Sequence, residues 1–210
     1  MRSAIVSTAL LLPCLLIAQE LKPLELPPPQ TEGGKPLMQA LKERKSTREF
    51  SSKPLPPQVL SNLLWAAFGV NRPDGRRTAP SANNMQEIDI YVALPEGLYL
   101  YDAKAHRLQP VLAEDIRAAT GTQTYVGQAA LNLVYVADYA RMGNRPEPVK
   151  TMYSAADTGF IAQNVYLFCA SEGLATVVRA SIDREKLAAR MKLRPDQRIV
   201  LAQSVGYPAK

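Results

Sequence analysis

Apolar positions along this chain recur in two rhythms. Behind Pro56-Pro57, the residues Val59, Leu60, Leu63, Leu64, Ala67 and Phe68 return at intervals of three and four. That spacing predicts an amphipathic helix, opened by proline in its first turn and ended by Gly69. Pro36 fits the first turn of a shorter helix reaching about Lys45, with Leu37, Met38 and Leu41 on one face. Ile88, Ile90 and Val92 alternate with Asp89 and Tyr91, the period of a strand. Residues 97–101 and 107–111 read as a hairpin around the turn 102–106, and residues 114–119 as a short helix. The near-continuous apolar run 131–137 predicts a strand buried on both faces. Residues 153–171 form a long apolar helix closed by Gly173, and residues 174–179 are extended. Asp183 caps a helix carrying Leu187 and Met191, and residues 198–205 supply a last strand. Residues 70–85 are loop. Helices around one sheet make an α+β domain, and no internal repeat interrupts it.

Two segments precede that domain. Arg2 and an apolar run over residues 4–18, broken only by Ser7, Thr8 and Pro13, have the layout of a signal peptide, with small Ala18 at its end. The run is shorter than the roughly 20 apolar residues a membrane span needs. Ser3 after Arg2 leaves no twin-arginine pair, so a general export channel is expected to carry the chain out of the cytoplasm, into a periplasm or the medium. Residues 19–35 are rich in proline and glycine; residues 27–29 favour an extended polyproline conformation. This arm reads as a spacer or as a strap across a partner subunit. The domain proper is residues 36–210.

Composition then removes whole classes of chemistry. With one histidine and two cysteines among 210 residues, the ligand supply is too small for a structural zinc site or a disulfide framework. No metal site is expected. Neither a GxGxxG nor a P-loop pattern occurs. His106 falls in the hairpin turn, where it reads as a solvated residue with no nucleophile beside it. Cys169, in the run Val-Tyr-Leu-Phe-Cys-Ala, reads as a buried thiol.

The net charge of +6 is local. Lys42, Arg44, Lys45, Arg48, Lys53, Arg72, Arg76 and Arg77 are opposed only by Glu43, Glu49 and Asp74 over the same stretch. Nucleic acid binding uses a broader stripe, often interleaved with aromatics. A compact set of guanidinium forks beside Ser46 and Thr47 suits a single phosphate and polyol oxygens. The pattern points to a phosphorylated small molecule.

Two motifs sharpen this. Glu43-Arg-Lys-Ser-Thr-Arg48 resembles the Arg-(Arg/His)-Ser-x-(Arg/Lys) signature of the nitroreductase-like flavoproteins, and Arg77-Thr-Ala-Pro-Ser-Ala-Asn-Asn-Met-Gln86 resembles their Pro-Ser-(Ser/Ala)-x-Asn-x-Gln loop. Gln123, the run Gly-Phe-Ile-Ala-Gln-Asn-Val-Tyr-Leu at 159–167, Gly-Leu-Ala-Thr at 173–176 and Gly-Tyr-Pro at 206–208 follow in the family's order. Residues 60–72 and 97–102 look closest to its thiazole/oxazole-forming (azoline) dehydrogenase branch. The resemblance implies an intertwined homodimer built on a mixed, mostly antiparallel sheet flanked by helices. It also implies FMN at each subunit interface. Carried over, Arg44, Lys45, Ser46 and Arg48 would hold the phosphate and ribityl chain. Pro80, Ser81, Ala82 and Asn84 would come from the other subunit to line the isoalloxazine. Gln123 would address the pyrimidine edge; Val178, Arg179, Ala180 and Ser181 would face N5 and O4, mainly through backbone groups.

The implied reaction passes a hydride through flavin N5 between a donor and a small acceptor such as a nitroaromatic, quinone or heterocycle. The cofactor carries that chemistry, so no catalytic side chain is expected. Export places the protein where NAD(P)H is not expected, which leaves another small molecule or redox protein as donor. A flavin carrier without turnover has the same sequence signals; a flavin-free basic binding module would be colourless.

Overall fold

The computed structural model describes residues 20–209. The signal-peptide expectation on residues 1–18 lies outside the described residues, as does Lys210.

In chain order the elements are β1 (Leu24–Glu25), α1 (Leu37–Glu43), α2 (Pro57–Phe68), β2 (Ile88–Leu94), β3 (Gly97–Asp102), β4 (Arg107–Leu112), β5 (Leu131–Asp138), α3 (Glu147–Glu172), β6 (Ala175–Arg179), α4 (Arg184–Arg190) and β7 (Gln197–Gly206). The strands make one seven-stranded sheet in the order β1-β4-β3-β2-β5-β7-β6. Every pairing between these strands is antiparallel, so the sheet is antiparallel rather than mixed.

β5 lies inside the sheet, between β2 and β7, and is buried along its whole length. Its side chains alternate between two cores. Leu131, Leu133, Tyr135 and Ala137 meet α2 and α3, together with Ile88, Ile90 and Val92 of β2. Val134 and Val136 meet Leu187 and Met191 around α4, with Tyr91 and Ala93 of β2. Tyr91 therefore faces a second core and not water, and its hydroxyl accepts from Gln197 Nε2 at 3.4 Å. Leu63, Leu64 and Phe68 of α2 are fully buried, each contributing about 1.5–3 kcal/mol of apolar transfer. Among the described residues, no helix is long and apolar enough to cross a membrane.

Local departures from the sequence reading have local causes. α1 stops at Glu43, because from Arg44 (ψ 121°) the chain runs extended along a sheet edge. α3 begins at Glu147, well before Tyr153: Pro146 and Pro148 look like breakers but occupy the first turn, where a missing N–H costs nothing. The helix expected over 114–119 is only a 3-10 turn, Arg117–Thr120. There Asp115 accepts the Arg117 backbone N–H at 3.0 Å and pairs with its guanidinium at 2.8 Å. Gly173 ends α3 in the left-handed region (φ 70°), as its position foretold, and Asp183 caps α4 by accepting from Lys186 N. Cys169 is buried, and burial pushes its thiol pKa up.

Residues 24–28 of the proline-rich arm lie on their own domain instead of standing free as a spacer. β1 pairs with β4 through Leu24 and Leu108, and Leu26 enters the first core. Prolines have no N–H to donate, but their carbonyls accept. Ser61 Oγ donates to Pro27 O at 2.5 Å, and Gln58 Nε2 donates to Pro28 O at 2.9 Å. His106, expected in solvent, is half-buried between Ser61 Oγ (2.7 Å from Nε2) and Tyr101 OH (3.0 Å from Nδ1). Since Ser61 spends its proton on Pro27, it must accept from His106 Nε2–H, and Nδ1 accepts from Tyr101. The chain Tyr101–His106–Ser61–Pro27 pins the arm down. Burial, the larger cause, lowers the His106 pKa from 6.5, so this contribution to stability is present above that pH and fades as pH falls through the lowered value. Replacing Ser61 by alanine is expected to cost about 1–2 kcal/mol and to speed cleavage within residues 20–34 in limited proteolysis.

Candidate functional site

The outer strand β6 is lined by the segment that follows α1. Thr47 N donates to Thr176 O at 2.9 Å, Phe50 bridges to Pro208, and Ser51 N donates to Tyr207 O at 2.9 Å. An extended segment sends alternate side chains to opposite sides. On one side, Ser46 Oγ lies 2.8 Å from Tyr166 OH, which accepts from Val178 N at 3.0 Å. Tyr166 thus joins the Ser46 hydroxyl to the backbone of β6, and either hydroxyl can donate in the Ser46–Tyr166 bond. Arg44 stacks over the Tyr166 ring at 5.3 Å, and Arg48 is exposed. Beside this link, Lys45 and Thr47 line a cavity of about 490 Å3 together with Lys35, Lys42, Glu43 and Tyr166 itself.

At the far end of β6, Ala180 and Ser181 are exposed, and Thr122 N donates to Ser181 O at 3.2 Å. This holds the turn bearing Gln123 beside them. Arg179 does not project with its neighbours. It is buried, donating to Thr120 O (2.8 Å) and Asn132 Oδ1 (2.9 Å), both neutral. Burial lowers its pKa to about 10. Its guanidinium lies so close under Gly121 that a Cβ there would stand 2.0 Å from Nη1. The Arg179 side chain thus supports the 120–123 turn from beneath and leaves only the backbone of Arg179 to face a ligand. Gln123 Oε1 is an acceptor buried without a partner.

The loop 80–86 stands elsewhere. Asn83, Asn84 and Gln86 adopt positive φ (53°, 54° and 48°), an expensive backbone for Gln86 in particular. Gln86 N donates to Ser81 Oγ at 2.9 Å, and Gln86 Nε2 donates to Asn84 Oδ1 at 3.0 Å. Ala82 N donates to Asp157 Oδ2 of α3 at 2.9 Å. Pro80 and Asn84 are exposed. Asp157 and Tyr166 are separated by about 13 Å along α3, at about 1.5 Å of rise per residue. On one protomer the residues singled out by the resemblance therefore fall in two places: Arg44, Lys45, Ser46, Arg48, Gln123, Val178, Arg179, Ala180 and Ser181 along β6, and Pro80, Ser81, Ala82 and Asn84 at the loop held by Asp157. Tyr166 and Asp157 were missed from sequence. Both fall on the buried stripe 154, 157, 158, 161, 162, 165, 166 of α3, where a polar side chain needs a partner to satisfy it.

The profile of the nitroreductase family matches residues 41–207. The chain belongs to the nitroreductase family. The family protein MJ1384 of Methanocaldococcus jannaschii is 34% identical over 160 residues, covering 71% of this chain and 81% of that one. The structure of a nitroreductase-family protein of Ralstonia eutropha JMP134 superposes with a TM-score of 0.87 at 48% identity, covering 90% of this chain and 91% of that one. The NADPH:FMN oxidoreductase of Vibrio harveyi, solved with NAD+, shares the fold (TM-score 0.62, 20% identity, 83% and 69% coverage). The chemistry of these residues suits a flavin mononucleotide: cations and a hydroxyl for a phosphate, and the unpartnered Gln123 carbonyl for a ring N–H.

Proposed function

We propose that this chain is an FMN-dependent oxidoreductase, working as a homodimer outside the cytoplasm after loss of residues 1–18. The observation carrying the reading is the link Ser46–Tyr166–Val178, which ties the phosphate-type segment to the strand end that presents Ala180 and Ser181. Arg44, Arg48 and Ser46 would hold the phosphate, the arginines through charge-assisted hydrogen bonds. Gln123 would take the pyrimidine edge, and backbone groups of Ala180 and Ser181 the opposite one. Pro80, Ser81, Ala82 and Asn84 of a second copy would cover the ring. When bound, FMN supplies a hydride acceptor and donor at N5, linking an electron donor to a nitroaromatic, quinone or heterocyclic acceptor. The protein's part is to orient the ring, keep water off it and stabilise negative charge on it.

A dimer is supported by apolar surface that the protomer leaves open. Leu37 and Met38 of α1 are 63% and 76% exposed; Met152 and Phe160 of α3 are 58% and 49% exposed. Gly159 lies between the latter two with open space where a Cβ would stand. Large apolar side chains left exposed on two helices that pack together suit an association surface.

The test is spectroscopic. Purified protein is expected to be yellow, to run as a dimer, and to bleach anaerobically with a reductant such as NADPH or a reduced quinone. Its colour should return on adding a quinone or nitroaromatic. Colour without that cycle would mean a carrier, and a colourless protein that takes up no FMN would overturn the reading.

A further inference from the structure

Glu87 joins the 80–86 loop to β2, and none of its surface reaches solvent. Neither of its carboxyl oxygens has a hydrogen-bond partner if both are ionised acceptors. The side chain within reach of it is another carboxyl, Asp157 of α3, itself only 3% exposed. Two carboxylates are acceptors only and cannot bond one another; with one proton between them they can. The remaining charge facing this point is Arg141, from the turn after β5. Its guanidinium is already committed to Asp89 (2.9 and 3.0 Å), to Gln86 O (3.0 Å) and to Asp138 (3.4 Å). It attracts the Glu87 carboxylate without bonding it. Asp157 meanwhile holds the loop, through Ala82 N.

We propose that Glu87 and Asp157 share one proton, and that this pair latches the 80–86 loop, with Asp157 as its positioning residue. The latch is a property of the protomer; its consequence for the flavin rests on the function proposed above.

Burial, with the Asp157 charge adding to it, raises the Glu87 pKa from 4.5 to about 7. A folded-state value above the unfolded one means the latch contributes fully below about pH 4.5, and its contribution is lost as pH rises through 7. Ionised, Glu87 repels Asp157, Ala82 N–H loses its acceptor, and a loop already holding three positive-φ residues loosens. His106 titrates in the opposite sense, weakening the fold on the acid side of 6.5. The informative quantity is therefore the difference between wild type and Glu87→Gln. The glutamine has the same shape, is neutral at every pH and donates to Asp157.

The experiment uses full-length protein without added flavin. Thermal unfolding and amide exchange of peptides spanning residues 80–86 are followed from pH 5 to 8.5 in wild type, Glu87→Gln and Asp157→Asn. The melting temperature of wild type is expected to fall by about 5–10 °C relative to Glu87→Gln across that window. Loop exchange should accelerate by about tenfold beyond its intrinsic pH dependence in wild type only. Asp157→Asn should move the transition to lower pH. Identical profiles for wild type and Glu87→Gln would overturn the proposal. If Glu87→Gln does not fold, a carbon-13 titration of the Glu87 carboxyl in wild type decides: a midpoint near 7 supports the latch, one near 4.5 removes it. A pH-dependent loop in a protein that takes up no FMN would leave the latch standing and sink the functional reading alone.

Discussion

With Arg44 and Arg48 both replaced by alanine, the protein is expected to fold, to dimerise and to lose FMN. The affinity should fall by on the order of 100-fold to 1000-fold, the scale of two charge-assisted hydrogen bonds at a partly solvated site. Binding of riboflavin, which has no phosphate, should change little. Stability should drop only slightly, because Arg48 is exposed and Arg44 contributes one cation–π contact to Tyr166, about 0.5–1 kcal/mol. Fluorescence titration of both ligands, with thermal unfolding alongside, separates a lost phosphate grip from a damaged fold. Ser46→Ala is expected to move FMN affinity in the same direction by about tenfold, since it removes one hydroxyl donor.

The largest stability effect should come from a residue that touches no ligand. Asn132 is fully buried in β5 and satisfies three groups at once. Its amide N–H donates to Val126 O at 2.9 Å, and its carbonyl accepts from Ser204 Oγ at 2.6 Å and from Arg179 Nη2 at 2.9 Å. Asn132→Leu keeps the volume and removes every one of these bonds, stranding a buried guanidinium whose Nε already has no partner. A cost of about 3–5 kcal/mol is expected, lowering the melting temperature by about 10 °C or more. Asn132→Asp should cost less, because it gives Arg179 a counter-charge and forfeits only the donor to Val126. Both melting temperatures come from one calorimetric series.

What the sequence discloses here depends on how local each cause is. α2 is legible to the residue, because its proline opening, its apolar spacing and Gly69 all lie within one short window. β5 is legible because a strand buried on both faces has no polar alternation to confuse it. The burial of the Arg179 side chain has a distant cause. In Val-Val-Arg-Ala-Ser a cation at a strand's end looks bound for solvent, and only the distant 117–123 segment, folded over that face, buries it. The arm's prolines announce an extended chain and say nothing of where it lies; Ser61 and Gln58, far along the sequence, decide that. The candidate site residues themselves were recognisable through motifs. Their supports, Tyr166 and Asp157, were hidden in a helix that reads as uniformly apolar.

The central claim is that the 44–48 segment along β6 grips a phosphate on a flavin. The most direct measurement is a side-by-side titration of the flavin-free protein with FMN and riboflavin. The account predicts that FMN binds at least about 100-fold more tightly, with the gap closing in the Arg44/Arg48 double variant and at high salt. Equal affinities for the two ligands in the wild-type protein, or no binding of either, would contradict it.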